Sequence, residues 1–152
     1  MKLEPKHKRM KLEPKHLAPY LPYKLKLILK KDWHNENWND YDVVEMMQIT
    51  LSDKWFYIGA NKDKNTFVSS EQFQFKPILH PLSDLLKDEY SFIYENETDY
   101  DTIKDCVYMD HESFRMSKFS FEFWEDLFRY HFDVFGLIDD GLAIDINTLK
   151  GE

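Results

Sequence analysis

Three clusters of histidines and carboxylates offer the chain's most obvious chemistry. His131-Phe-Asp133 has the composition of an acid–base or metal-binding pair. Asp110-His-Glu112 sets three ligand types side by side. Glu95-x-Glu97-x-Asp99-x-Asp101 alternates carboxylates as a calcium-binding loop does. Each meets a physical objection. On a helix, positions i and i+2 point apart, so His131 and Asp133 are awkward partners for one ion. Adjacent residues converge on an ion only where a loop curls around it. In the acidic run, Tyr100 stands where a calcium loop needs its sharp-turn glycine, and Cys106 where it needs the closing glutamate. The three clusters therefore read as a packed helix, a surface turn and a solvated acidic loop.

Other candidates are no stronger. Cys106 is the single cysteine and has only Lys104 as a nearby base. His80 lies between Pro77 and Pro81, in what reads as a rigid connector. Four glycines, at 59, 136, 141 and 151, permit no phosphate-cradling loop, no dinucleotide fingerprint and no nucleophile elbow. No catalytic residue, metal ligand or cofactor is assigned.

The elements that would position these groups read as α+β: a small antiparallel sheet or partly open barrel from the N-terminal half, packed by C-terminal helices. Residues 1–16 contain a repeat, Met1-Lys-Leu-Glu-Pro-Lys-His7 and Met10-Lys-Leu-Glu-Pro-Lys-His16. They read as a flexible basic arm, and residues 17–152 as one domain. Pro19 and Pro22 are expected to hold 17–23 extended. Lys24–Lys30 alternates, with Leu25, Leu27 and Leu29 on one face and lysines on the other, and so predicts a half-buried strand. A second strand is expected over 43–51, with Met47, Ile49 and Leu51 facing one way. Further short strands are expected at 55–59, 66–68 and 71–75.

Pro81 is a candidate first residue of a short helix running to about Asp88. Phe92–Tyr94 and Cys106–Met109 read as short apolar pieces of strand type. The clearest helix spans 120–135, with Ser120 as N-cap, Glu122 in the first turn and a broad face of Phe121, Trp124, Phe128 and Phe132. Glu122, Asp126, Arg129 and Asp133 would share its polar face, with Gly136 and Gly141 as stops.

Charge is lopsided. Residues 1–31 carry ten Lys/Arg and two Glu, a net +8; residues 32–152 carry ten Lys/Arg and twenty-six Asp/Glu, a net −16. The body would repel a phosphate backbone, so nucleic acid could be engaged only through the N-terminal arm. Tyr20, Tyr23, Trp33 and Trp38 are the aromatic candidates for stacking on bases. The lone cysteine, the lack of a secretory signal pattern and apolar runs far short of the ~20 residues that span a bilayer imply a reducing, cytoplasmic setting without a membrane anchor.

Three segments carry a resemblance. Leu17-Ala-Pro-Tyr-Leu-Pro-Tyr-Lys-Leu-Lys26, Phe75-Lys-Pro-Ile-Leu-His-Pro-Leu-Ser-Asp-Leu85 and the run from Tyr130 to Leu149 resemble, in content and order, a family of short uncharacterised proteins of phages and prophages of Bacteroidota. The resemblance implies a mobile-element origin and action inside a bacterial cell; it brings no catalytic residue. The duplicated start, the Asn/Trp-rich loop at 32–42, the acidic stretch at 95–105 and His80, where an arginine is common, depart from the family pattern.

The leading expectation is a non-enzymatic interaction protein encoded by a phage. It would inhibit a host defence system, in the manner of an anti-CRISPR protein, by binding a basic nucleic-acid-processing effector through its acidic surface. Trp33, Trp38, Glu95, Glu97, Asp99 and Asp101 are the partner-binding candidates. Two alternatives stand beside it: a metal-dependent enzyme such as a nuclease using His111, His131 and nearby carboxylates, and a nucleic-acid accessory protein using the basic arm.

Overall fold

The computed structural model describes residues 12–30, 41–51, 56–61, 65–69 and 75–149. Six strands form one sheet: β1 (Lys26–Lys30), β2 (Tyr41–Leu51), β3 (Phe56–Asn61), β4 (Asn65–Ser69), β5 (Phe75–Leu79) and β6 (Ile144–Asp145). Their order is β4-β3-β2-β1-β5-β6, antiparallel throughout except for the parallel β5–β6 pair. The sheet is open, with β4 and β6 at its ends, and the chain is α+β as its sequence predicts. Residues 1–11 of the expected arm, the loop holding Trp33 and Trp38, and most of the strand expected at 71–75 lie outside the described residues.

β1 sits between β2 and β5. Leu25 and Leu27 are fully buried, as alternation predicts, but Ile28 on the opposite face is buried too. β2 is the long beam of the sheet. Its first half pairs with β1 (Lys26↔Glu45 to Lys30↔Tyr41) and its second with β3 (Glu45↔Asn61 to Leu51↔Phe56). A register shift between Met46 and Gln48 marks the changeover. It inserts one residue and reverses the alternation. Val44 and Met46 are therefore buried, Met47 is 52% exposed and Ile49 returns to the core side. The expected inward Met47 fails for this reason.

Residues 75–79 are strand, not connector, despite Pro77. Pro77 lies opposite Leu27 of β1, and β6 begins its pairing only at Ile78. Among the described residues, one flank of residue 77 thus has no strand to receive an N–H, and a proline is tolerated there. Pro81 acts as an extended N-cap, not as a first helical residue. Two 3₁₀ turns follow, Leu82–Leu86 and Asp88–Ile93, separated by extended Lys87.

The N-terminal segment also departs from expectation. Pro14–Leu17 is a short helix, α1, with His16 and Leu17 buried, so the last residues of the expected arm pack on the body. Ala18–Tyr23 continues as a 3₁₀ helix, not an extended run. Proline's fixed φ suits a 3₁₀ turn, and Pro19, near the start of the helix, has no N–H partner to lose; Pro22 lies inside it. Lys24, at φ 57°, then turns the chain into β1. Tyr20 is completely buried, which removes it as a base-stacking candidate. Its hydroxyl donates to the Phe132 carbonyl and accepts from Val134 N–H at 3.4 Å.

The C-terminal half has helices and turns where strands were expected at 92–94 and 106–109. Phe92 and Ile93 belong to a 3₁₀ turn; α2 covers Tyr100–Val107 and α3 covers His111–Arg115. Asp99 and Asp110 cap these helices by accepting from Thr102 N–H and Ser113 N–H, each at 2.8 Å. Ile103, Cys106 and Val107 form the buried face of α2 at helical spacing. α4 covers Phe121–Arg129, capped by Ser120 as expected, but stops six residues short of 135. His131 adopts φ 64°, with Phe132 N–H bonded to Leu127 O (2.8 Å) and His131 N–H to Phe128 O (3.1 Å). These two bonds terminate a helix through a left-handed residue, a place where glycine is usual.

After α4 the chain pairs with the end of β5. His80 N–H donates to His131 O and Asp133 N–H to His80 O, both at 2.8 Å. Gly136 (φ 80°) turns the chain where an added Cβ would meet the His111 ring at 2.9 Å. β6 and α5 (Ile146–Leu149) then close the described chain.

Two cores result. One joins Leu17, Tyr20, Leu25, Leu27, Val44, Met46, Phe75 and Leu79 to Leu137 and Ala143. The other joins the 3₁₀ turns, α2, α3 and α4 through Leu85, Ile103, Phe114, Phe123, Leu127 and Phe132. Phe128 packs against both. Phe114, Phe119, Phe123 and Trp124 pack ring on ring, with Phe119 stacked on Phe123 at 4.1 Å.

Two predictions follow from this packing. Tyr20→Phe leaves the Phe132 carbonyl and Val134 amide without their buried hydroxyl, and urea unfolding should show a loss of about 1–3 kcal/mol. His16 accepts the Glu13 N–H on Nδ1 at 3.0 Å, which requires a neutral ring. Burial, with Lys15 and Arg115 nearby and against the opposing effect of Glu13, holds its pKa below the ordinary 6.5. Burial also lowers His131. The unfolded chain therefore takes up these protons first, and stability should decline as pH falls from 6.5 toward the lower folded values. Unfolding midpoints across that window check this, and His16→Gln should flatten the slope.

Candidate functional site

The acidic run proves to be a folded surface, not a loop. Nine carboxylates between residues 88 and 112 are exposed: Asp88, Glu89, Glu95, Glu97, Asp99, Asp101, Asp105, Asp110 and Glu112, against one exposed lysine, Lys104. They ride on the second 3₁₀ turn, α2 and α3, whose inner faces are held by Ile93, Ile103, Val107 and Phe114. Apolar groups are exposed among them: Phe92 (45%), Tyr100 (46%), Tyr108 (68%) and Met109 (44%).

The four expected acidic contacts divide by role. Glu97 reaches the start of α4, where it accepts from Ser120 N–H at 2.8 Å and from the Ser120 hydroxyl. Asp99 caps α2, and the amide and hydroxyl of Thr102 hold its carboxyl below the usual range. Glu95 and Asp101 are exposed and make no side-chain hydrogen bond among the described residues. The alternating carboxylates thus do not converge as a calcium loop would. Trp33 and Trp38 are not among the described residues.

The histidines are also dispersed. His131 Nε2 donates to the Tyr23 carbonyl at 2.7 Å, while Asp133 turns away to accept from Leu137 N–H (2.8 Å) and Ile138 N–H (2.9 Å). Asp133 is 2% exposed, not on the polar face of α4, and burial raises its pKa against the pull of those two amides. Asp110 caps α3, so Asp110-His-Glu112 is the first turn of a helix. Among the described residues no three His, Cys, Asp or Glu side chains are grouped to hold a metal ion.

A second polar cluster was missed in the sequence. His80 Nδ1 lies 2.8 Å from Asp84 Oδ2, and the Tyr90 hydroxyl lies 3.3 Å from His80 Nε2. Asn147 Nδ2 donates to both Asp84 oxygens at 3.1 and 3.0 Å, and Lys87 Nζ lies 3.2 Å from Oδ1. Burial opposes ionisation of Asp84, but bonds from His80, Asn147 and Lys87 prevail and lower its pKa. The hydroxyl–imidazole–carboxylate order is that of a catalytic triad. The hydroxyl, however, is a phenol. Burial, with Glu89 and Asp84 nearby, raises its pKa, so at neutral pH it stays protonated and is no nucleophile. The His80 ring also packs between Tyr90 and Phe132, at 5.3 and 5.2 Å. The cluster ties β5, the 3₁₀ turns and α5 together. The i,i+4 spacing of His80 and Asp84 was its only sequence signal.

Ser120 links the acidic surface to α4, since its hydroxyl also accepts from Phe123 N–H at 3.2 Å. Ser120→Ala should cost about 1 kcal/mol in urea unfolding. Glu95→Ala should leave the midpoint unchanged, which separates the carboxylates that hold the fold from those that only face solvent.

No family model, no curated protein and no solved structure matches this chain.

Proposed function

We propose that this protein is a non-enzymatic interaction module that binds a basic partner through the surface of residues 88–112. The observation that carries the reading is nine exposed carboxylates against one lysine, interleaved with exposed Phe92, Tyr100, Tyr108 and Met109. Carboxylates of one sign steer a basic partner and speed its association; aromatic and methionine side chains supply desolvated contact area. Helices capped at Asp99, Asp110 and Ser120 hold the surface in place before binding, which reduces the ordering cost. In its finer form the reading makes the partner a nucleic-acid-processing effector of a host defence system, blocked at its basic groove. That form rests on the resemblance to phage and prophage proteins.

The test is capture of partners by the tagged full chain from host lysate at low and high salt, followed by binding kinetics with the purified partner. The expected result is one stoichiometric basic protein, released by salt. Glu95→Lys with Asp101→Lys spares the capping carboxylates and should slow association by about tenfold or more. Equal binding by the double variant would remove the acidic surface from the reading.

A further inference from the structure

Helices α2 and α3 bury one face and leave the other without a packing partner among the described residues. On α2, Ile103, Cys106 and Val107 turn inward, whereas Tyr100, Asp101, Lys104 and Asp105 are exposed. Exposure continues through Tyr108, Met109 and Asp110 to Glu112 of α3, with Tyr108 at 68% and Met109 at 44%.

The chain holds a segment of matching chemistry. Residues 1–11 carry five Lys/Arg and one Glu, a net +4, with Leu3 and Met10 among them; residues 88–112 carry nine Asp/Glu and one Lys, a net −8. The described chain starts beside α3. Leu12 packs on the first core, and the buried His16 ring meets Phe135 at 5.3 Å. Arg115, the last residue of α3, places its guanidinium 5.4 Å from the centre of the same Phe135 ring. The segment before Leu12 is therefore tethered near the C-terminal end of α3. Eleven residues can extend over roughly 36 Å. The eight residues of α2 and five of α3 span only ~20 Å as helix.

We propose that residues 1–11 dock, within the same chain, on the outer face of α2 and α3, with their basic side chains against Asp101, Asp105, Asp110 and Glu112. This rests on the reading of 88–112 as a surface for basic partners and adds that the chain carries its own competitor for it. Tethering brings the segment to this face at an effective concentration on the order of millimolar. Ion pairs on an exposed face are individually weak and screened by salt, so the docking is reversible and a basic partner displaces it. Other carboxylates attract the segment less: Glu125 and Asp126 are paired with Arg129, and Asp84 with Lys87.

Carbodiimide coupling of the full chain tests this, because it joins a lysine amine to a carboxylate only where the two touch. Products are separated by size and mapped by mass spectrometry. At low salt the one-chain fraction should carry amide bonds from Lys2, Lys6, Lys8 or Lys11 to Asp101, Asp105, Asp110 or Glu112, and high salt should abolish them. Competition is read with decalysine. Lys6→Gln with Lys8→Gln and Arg9→Gln frees the face, and should bind decalysine about threefold more tightly than Lys54→Gln with Lys62→Gln and Lys64→Gln, a variant of equal net charge. Circular dichroism checks that both variants fold, and the coupling result, which needs no substitution, decides the matter where one does not. Absence of coupling from residues 2–11 to 101–112, or coupling confined to the two-chain fraction, overturns the proposal. Equal decalysine affinity of the two folded variants does so as well. Coupling in a chain whose partner binding ignores Glu95→Lys with Asp101→Lys would sink the proposed function and leave this docking intact; no coupling, with partner binding weakened by that pair, would do the reverse.

Discussion

The backbone of His131–Asp133 is hydrogen-bonded to residue 80 from both sides, and the same three residues are bonded to the N-terminal 3₁₀ helix and to the turn that follows them. His80 N–H reaches His131 O, and Asp133 N–H reaches His80 O. The buried hydroxyl of Tyr20 donates to Phe132 O. The His131 ring holds Tyr23 O, and the Asp133 carboxylate holds the amides of the next turn. A buried amide or carbonyl left unpaired costs on the order of 1–3 kcal/mol, so these bonds are mutually obligatory. They force α4 to end where it does. The left-handed conformation of His131, unusual for a residue with a side chain, is the local cost of setting this crossing against the sheet.

From that crossing the two cores take their separation. The sheet side is closed by the N-terminal 3₁₀ helix and the turn after Gly136; the helical side is closed by Phe132 and the aromatic rings of α3 and α4. The His80–Asp84–Asn147 cluster lies between them. It binds the C-terminal α5 to the start of the 3₁₀ turns through bonds that are stronger because one partner is ionised. A buried network of this kind carries weight only when complete, and no buried side-chain nitrogen or oxygen lacks a partner among the described residues.

The outer surface is organised by different physics. α2 and α3 are short helices whose apolar residues are few, so capping contributes a large share of their local order. Asp99 and Asp110 serve that role, and in doing so they leave neighbouring carboxylates displayed on a fixed frame. No helix among the described residues is long and apolar enough to cross a membrane. The excess negative charge faces outward over residues 88–112, on the side of the second core.

The sequence by itself determined the features that depend on near neighbours. The α+β composition, the Leu25–Leu27 face of β1, the Ser120 cap and the unusual charge split were all readable, because alternation, capping and composition act over a few residues. Signals of the same short range were present at Asp99-x-x-Thr102 and Asp110-x-x-Ser113 but were masked by the acidity around them. Tertiary structure alone decided the rest. Whether Met47 faces in or out depends on a bulge where β2 changes partner. Pro77 sits in a strand because β6, some sixty-five residues later, leaves its flank unpaired. The strongly periodic helix stops at Arg129 because residues 131–133 bond to residue 80, Tyr20 and Tyr23. Asp133 is a buried cap for the same reason. These outcomes depend on partners distant in the chain, and a local pattern contains no term for a hydrogen bond that only folding brings within reach.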